Sequence, residues 1–277
     1  MLPSFVIIGA MKGGTTSLYQ YMRYHPDVFM PTPKEINFFN RHWDAGSAWY
    51  EEHFQGSAGA TAVGEASPNY TKAHHWPDTA PRMASMIPDA RLIYILREPV
   101  ERMRSHYQHH VAAGKESRSI DRALREVGDV NTQDYHNTSR YAFQLEQFYS
   151  HFSAEQIHVT TTERLRDHRP EVLREIFQFI GVDEEWLPPN IERLAHRTAN
   201  KIMYNRVGAY LRNFDNYRTL ADRVPFKLKQ KAHRLISAPP PDVGISQELR
   251  AYLREVILPC DLERLRFLLD LPEVRAW

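Results

Sequence analysis

The chemistry-bearing residues of this chain fall into three short stretches. In Phe5-Val-Ile-Ile-Gly-Ala-Met-Lys-Gly-Gly-Thr-Thr-Ser-Leu18 an apolar run breaks into a glycine-containing loop and then opens a helical pattern. A strand, a tight turn and the start of a helix present backbone N–H groups and a positive dipole end to an anion. Lys12 adds a full charge, Gly13 and Gly14 let the backbone come close, and Thr15, Thr16 and Ser17 bring hydroxyls and further donors. A Walker A loop places its lysine directly after the last glycine and a Ser or Thr next, for Mg²⁺. Here Lys12 precedes both glycines, which describes a cradle for a phosphorylated ligand with no evident place for a metal. An ordinary strand-to-helix turn, with glycines serving only close packing, remains open on this stretch alone.

The second stretch pairs Arg97, at the end of the apolar run Arg91–Leu96, with Ser105 on the segment that follows. Eight residues of helix would span ~11 Å, so both reach one extended anion only if the chain turns between them, as Glu98-Pro99 allows. The guanidinium fork suits phosphate oxygens. Arg97 in an ion pair and Ser105 at the surface is the competing reading, and spacing leaves both open. The third stretch is Pro33-Lys-Glu-Ile-Asn-Phe-Phe39, where Glu35 stands beside an apolar wall.

Positioning these residues calls for an α/β frame. Strands are expected at Phe5–Ile8, Thr61–Ala66, Arg91–Leu96 and Ile157–Thr161, and helices at Thr15–Tyr24, Trp49–Phe54, Asp78–Ile87, Pro99–Ala113, Tyr141–Phe152 and Glu171–Ile180. Strand and helix alternate, which implies a parallel sheet covered on both faces. Gly114 to Asn137 is polar, holds one amphipathic segment, Ile120 to Val127, and reads as a mobile excursion on the binding side. Beyond Gly181 the helical candidates are Tyr204–Tyr217, Arg223–Ile236 and Gln247–Leu269. The expectation is a P-loop-like three-layer α/β/α fold with a central parallel sheet. It makes one domain over 1–277, with the core at about 1–185 and a helical extension at about 186–277.

With 277 residues, 42% hydrophobic and 25% charged, the composition is that of a soluble globular protein. A formal charge of +1 argues against a nucleic-acid partner or a long polyanion while allowing a local basic cleft. The single cysteine, Cys260, excludes an internal disulfide and fits a reducing compartment; it reads as an apolar filler near a helix end. No stretch approaches the roughly 20 apolar residues of a membrane span. Met1 to Met11 lacks the basic flank and cleavage site of a signal peptide, so cytoplasmic location is expected.

Taken together, the motifs resemble a known family. Lys12-Gly-Gly-Thr-Thr-Ser17 is similar to the 5′-phosphosulfate loop of sulfotransferases that use 3′-phosphoadenosine 5′-phosphosulfate (PAPS). Leu96-Arg-Glu-Pro-Val-Glu-Arg-Met-Arg-Ser105 is similar to their 3′-phosphate segment. Their order and flanking elements match the family over roughly residues 5 to 185. Pro33-Lys-Glu-Ile-Asn-Phe-Phe-Asn40 resembles the acceptor-side loop of the heparan sulfate N- and O-sulfotransferase branch, whose catalytic base maps onto Glu35.

The resemblance implies in-line transfer of a sulfuryl group from PAPS to a hydroxyl or amine, releasing adenosine 3′,5′-bisphosphate and needing no metal. Lys12 would stabilise charge on the leaving phosphate, the loop with Thr15 and Thr16 would hold the 5′-phosphate, and Arg97 with Ser105 would select the 3′-phosphate. A carboxylate within hydrogen-bond reach of the acceptor can take its proton; pairing of Glu35 with Lys34 is the plainer alternative. The acceptor would be a small molecule, lipid or glycan.

Two departures limit the match. Gly64-Glu-Ala-Ser-Pro68 has Ala66 where many members of the branch carry a lysine. The C-terminal nucleotide loop is only loosely echoed by His196-Arg-Thr-Ala-Asn-Lys201, which leaves Arg197 and Lys201 as candidate cofactor contacts.

Of the 14 histidines, His106, His109 and His110 sit at helical spacing and read as cleft-lining or surface groups rather than metal ligands. His74 and His75 are the alternative base. A P-loop kinase or NTPase, and a nucleotide- or glycan-binding module without turnover, are the rival functions.

Overall fold

The computed structural model describes residues 1–187 and 243–277, together with the strand pair Met203–Tyr204 and Ser237–Ala238. Five strands, β1 (Phe5–Gly9), β2 (Val28–Phe29), β3 (Ala62–Ala66), β4 (Arg91–Leu96) and β5 (Ile157–Thr161), form one sheet. Their order is β2-β3-β1-β4-β5 and every pairing is parallel. This is the P-loop-like architecture expected. The expected strand Arg91–Leu96 is reproduced residue for residue, because its unbroken apolar run at 92–96 is buried on both faces, as a central parallel strand requires.

Alternation along β1 and β4 divides the core into two layers. Val6, Ile8, Leu92, Tyr94 and Leu96 face one cluster, while Phe5, Ile7, Ile93 and Ile95 face the other. The second cluster is closed by Leu18 and Met22 of α1 (Thr15–Met22) and by Val172, Ile176 and Phe177 of α10 (Arg169–Ile180). The first is covered by α2 (Phe38–Arg41), α3 (Gly46–Glu52), α4 (Thr79–Met86), α5 (Pro99–Ala112), α8 (Tyr141–Tyr149) and the C-terminal helices. α9 (Thr162–Asp167) follows β5 directly.

Three expectations need correction. Residues 114–137 are not an excursion: α6 (Ile120–Arg125) and α7 (Val130–Ser139) form there, capped by Ser119 and Asp129, and bury Ala123, Leu124 and Tyr135 completely. The helix expected over Gln247–Leu269 is split into α11 (Gln247–Tyr252), a π-helical turn (Leu253–Ile257) and α12 (Pro259–Leu268), followed by α13 (Pro272–Ala276). Pro259 lacks the N–H that continuation needs and starts a new helix instead. Cys260, two residues into that segment, is exposed in the first turn rather than filling a helix end. The helices expected at Tyr204–Tyr217 and Arg223–Ile236 lie outside the described residues, except that Tyr204 itself is in a strand.

The C-terminal helices are joined to the core. Leu249, Leu253, Leu258, Leu262 and Leu265 belong to the first cluster, and the buried Asp261 carboxylate accepts from the Ala142 and Phe143 N–H groups at the start of α8.

Candidate active site

After β1 the chain runs outward toward β2, and after β4 it runs the opposite way toward β5, so the crevice between the two strand ends is the switch point of this sheet. Adjacent strands lie about 4.8 Å apart, and the Lys12 loop and Arg97 therefore emerge side by side. The loop is closed by its own backbone: the Ala10 N–H donates to Ile95 O at 2.9 Å and the Gly13 N–H to Ala10 O at 2.8 Å. A Cβ on Gly13 would lie 2.4 Å from Ile95 O, so only glycine fits. Gly14 caps α1 at φ 97°, a left-handed conformation that glycine adopts without strain. Lys12 shares that region at φ 69°. The Thr162 hydroxyl, at the start of α9, bridges the Gly13 and Leu96 carbonyls and ties the loop to the end of β4.

Arg97 is half-buried beyond β4, with its carbonyl accepting from Tyr141 Oη at 2.8 Å. The carboxylates beside it are occupied. Glu98 caps α5 and takes Arg254 at 2.9 Å, and Glu101 takes Arg250 at 2.6 Å and Arg104 at 2.9 Å. Among the described residues no carboxylate forms an ion pair with Arg97, so the competing ion-pair reading finds no partner there. Ser105 is half-buried on α5, six residues past its first residue and so about 9 Å along the axis.

The loop at residues 33–40 reaches the same place. Lys34 Nζ stands 3.3 Å from Thr15 Oγ1 of the cradle and 3.1 Å from Glu35 Oε1. The pairing with Lys34 is thus present, and it tethers Glu35, whose side chain is 44% exposed, to the Lys12 loop. Just beyond, Asn37 is left-handed at φ 55°, and its Nδ2 donates to Glu35 O. The Asn37 and Phe38 N–H groups donate to Ser67 Oγ and Tyr70 Oη, which both donate to Glu65. Glu65 is completely buried; burial pushes its carboxyl up, while the hydroxyls of Ser67, Tyr70 and Tyr50 pull it back.

Next to the cradle lies a second buried polar cluster centred on Asp134 of α7. Lys72 contacts both carboxylate oxygens at 3.0 and 2.9 Å, His74 and His75 approach Oδ1 at 3.0 and 3.2 Å, and His106 stands 3.5 Å from Oδ2. Burial alone would raise the Asp134 carboxyl; the His74 hydrogen bond and the Lys72 charge hold it well below the ordinary range. Burial lowers Lys72, and burial reinforced by Arg102 holds His106 well below its ordinary value; His110 is lowered to about 4, mainly by burial. Fully buried Arg102 links this cluster to the cradle. Its three nitrogens reach Ser139 Oγ, Tyr135 O and His106 Nδ1, and Nη1 also lies 3.4 Å from Met11 O.

The histidines therefore differ from expectation. His106 and His110 are buried in this network, and of the three only His109 is exposed. His74 and His75 are engaged by Asp134, which lowers their claim as the base. Two trios come close enough for a metal, His74–His75–Asp134 and His106–His110–Asp134. Arg102 can only donate, so His106 Nδ1 accepts and its neutral ring carries the proton on Nε2, leaving no lone pair there for a metal. Gln144, whose Oε1 accepts the Ala73 N–H, turns its Nε2 toward His74 Nδ1 with the same consequence.

The structure thus brings Lys12, Gly13, Gly14, Thr15, Thr16, Ser17 and Arg97 to one crevice and Glu35 to its rim. Arg197 and Lys201 lie outside the described residues. Glu65, Lys72, Arg102, Asp134 and Thr162 were missed. Only Glu65 left a signal, a carboxylate inside the otherwise apolar run Ala62-Val-Gly-Glu-Ala66.

Comparison with known proteins agrees with this geometry. The chain is 36% identical over 138 residues to a membrane-associated sulfotransferase of Dictyostelium discoideum, covering 47% of this chain and 29% of that protein. It is 32% identical over 203 residues to a bifunctional heparan sulfate N-deacetylase/N-sulfotransferase of Mus musculus, covering 65% and 22%. The chain thus spans less than a third of the length of either relative. A solved sulfotransferase from Alicyclobacillus acidocaldarius superposes with a TM-score of 0.71 at 25% identity, over 99% of both chains. Residues 2–210 match the model of the sulfotransferase domain, and the chain belongs to that family.

Proposed function

We propose that this protein transfers a sulfuryl group from PAPS to a hydroxyl or amine, with residues 1–277 working as one domain. The observation that carries the reading is the meeting of the Lys12 cradle with Arg97 at one switch point: two anion sites suited to an adenosine phosphorylated at both ends. The acceptor oxygen or nitrogen attacks sulfur in line as the bond from sulfur to the bridging phosphate oxygen breaks. Adenosine 3′,5′-bisphosphate leaves with that electron pair. Lys12 and the loop N–H groups stabilise the charge on the leaving phosphate, and Glu35 takes the proton the acceptor loses. Arg97 and Ser105 hold the 3′-phosphate, and Arg197 and Lys201 add contacts to the nucleotide.

The position of Lys12 ahead of the glycines favours this over a Mg²⁺-dependent kinase. Calorimetry with EDTA present should give binding of adenosine 3′,5′-bisphosphate and none of ATP; the reverse preference, restored by Mg²⁺, would sink the proposal. Incubation with PAPS and a panel of small molecules, lipids and glycans, read by the mass gain of one SO₃ group, identifies the acceptor class. Nucleotide binding without any shift or bisphosphate release would leave a binding module. The near-neutral charge supports a small or short acceptor over a long polyanion. Among the described residues no helix is long and apolar enough to cross a membrane, and the single cysteine supports a cytoplasmic setting.

A further inference from the structure

Glu65 sits on β3, out of reach of solvent, yet its hydrogen bonds run to the segment that carries Glu35. Two chains of bonds converge on it. In one, the Asn37 N–H donates to Ser67 Oγ at 2.9 Å and the Ser67 hydroxyl donates to Glu65 Oε2 at 2.6 Å. In the other, the Phe38 N–H donates to Tyr70 Oη at 2.9 Å and the Tyr70 hydroxyl donates to Glu65 Oε1 at 2.7 Å. Tyr50 donates a third bond, 2.8 Å, to Oε1.

The directions are forced. A backbone N–H can only donate, so each hydroxyl accepts there and must spend its one proton on Glu65. Only a group that accepts at both oxygens can end both chains, and an ionised carboxylate does so. A carboxamide presents a donor on one side; the hydroxyl there would accept twice, its own proton would lose its buried acceptor, and its hold on the Asn37 or Phe38 N–H would weaken. Asn37 also occupies a left-handed conformation that needs holding, and its side chain grips Glu35 O.

We propose that Glu65 is the positioning residue for Glu35: its buried carboxylate, acting through Ser67 and Tyr70, fixes the backbone that aims the base at the cradle. The assignment rests on Glu35 being the base. Lys34 fixes the same residue from the other side through Thr15.

The test uses the full chain with Glu65→Gln, Ser67→Ala and Tyr70→Phe; the last two remove one chain each and remain informative if Glu65→Gln fails to fold. Hydrogen exchange at the Asn37 and Phe38 amides should speed up about tenfold or more, Asn37 in Ser67→Ala, Phe38 in Tyr70→Phe. Affinity for adenosine 3′,5′-bisphosphate should stay within about twofold of wild type, since the cradle is closed by its own backbone bonds. With PAPS as the probe and water as acceptor, kcat for bisphosphate release should fall about tenfold with the KM for PAPS unchanged. In a Glu35→Gln background the same substitutions should cost nothing more. Unchanged exchange at both amides would overturn the proposal, and so would losses that multiply with that of Glu35→Gln. Full turnover by Glu35→Gln alone, with fast exchange in the Glu65 series, would instead overturn the base assignment.

Discussion

On the donor side, the cradle is held mainly through backbone groups: bonds within residues 10–13, the β4 carbonyls, and the Gly13 and Met11 carbonyls that take Thr162 and Arg102. On the acceptor side, the segment around Glu35 hangs from side chains of another element, Glu65 on β3 and Ser67 and Tyr70 in the loop after it, and in that same loop Lys72 is held by Asp134. A phosphate site can be built from glycines and a helix start because every residue supplies the N–H it needs. An acceptor site must fix a carboxylate in space, and here that rests on buried charges whose partners come from other elements. The acceptor side should therefore lose stability when it is cut, and the donor side should lose chemistry.

The largest expected effect is on the acceptor side. Asp134→Ala leaves Lys72, 6% exposed, without its counter-charge, and breaking such a buried pair costs about 3–5 kcal/mol. Denaturant unfolding should show that loss; a midpoint close to wild type would mean that Lys72 escapes to water. Lys12→Ala is the donor-side counterpart. Removing one donor to developing charge typically costs about 2.7–4 kcal/mol in the transition state, and the expected result is a kcat reduced about 10²–10³-fold with the unfolding midpoint unchanged. A Lys12→Ala protein that unfolds early would break the contrast.

How much of this was legible follows the same division. The donor loop could be read because its determinants are contiguous: an apolar strand, Gly13 where a Cβ would strike Ile95 O, Gly14 at a left-handed φ, and hydroxyls opening a helix. Arg97 could be singled out for a similar reason, since it directly follows the plainest strand in the chain. Asp134 could not be found, because it is one polar residue among many between Gly114 and Asn137. Its role depends on α7 packing against the loop after β3, 60 residues away from His74. The histidines were misplaced for want of that contact. Pro259 did announce the break in the C-terminal helix; apolar periodicity across it masked the signal.

Arg97→Ala sharpens the donor half. A hydrogen-bonded charge contributes about 1.5–3 kcal/mol, so adenosine 3′,5′-bisphosphate should bind about 10- to 100-fold more weakly, and adenosine 5′-monophosphate as before. Equal losses for both nucleotides would place the arginine elsewhere on the ligand.

A gentler test separates the halves by pH. His110 is lowered to about 4 from its ordinary 6.5, and His106 shifts the same way. Between these values the unfolded chain binds a proton the folded chain refuses, so this contribution to stability is full above pH 6.5 and declines on acidification toward 4. The thermal midpoint of His110→Gln should fall less steeply than that of wild type across this window. Parallel curves would mean the imidazole titrates normally in the folded protein.

The smallest effect expected lies where the C-terminal helix meets the Arg97 segment. Arg254 occupies Glu98 Oε1, one residue from Arg97, and Arg250 occupies Glu101. With Arg254 replaced by alanine, Glu98 regains a free oxygen beside Arg97 and competes with the ligand for its guanidinium. Arg254 is 35% exposed, and such pairs are worth about 0.2–1 kcal/mol, so adenosine 3′,5′-bisphosphate should bind up to about fivefold more weakly. The monophosphate should again be unaffected, and the difference should shrink at high salt as screening weakens the competing pair. Arg254→Ala combined with Glu98→Gln removes the competitor along with the clamp and should bind as wild type does. If it stays weak, the C-terminal helix supports Arg97 through packing rather than through charge.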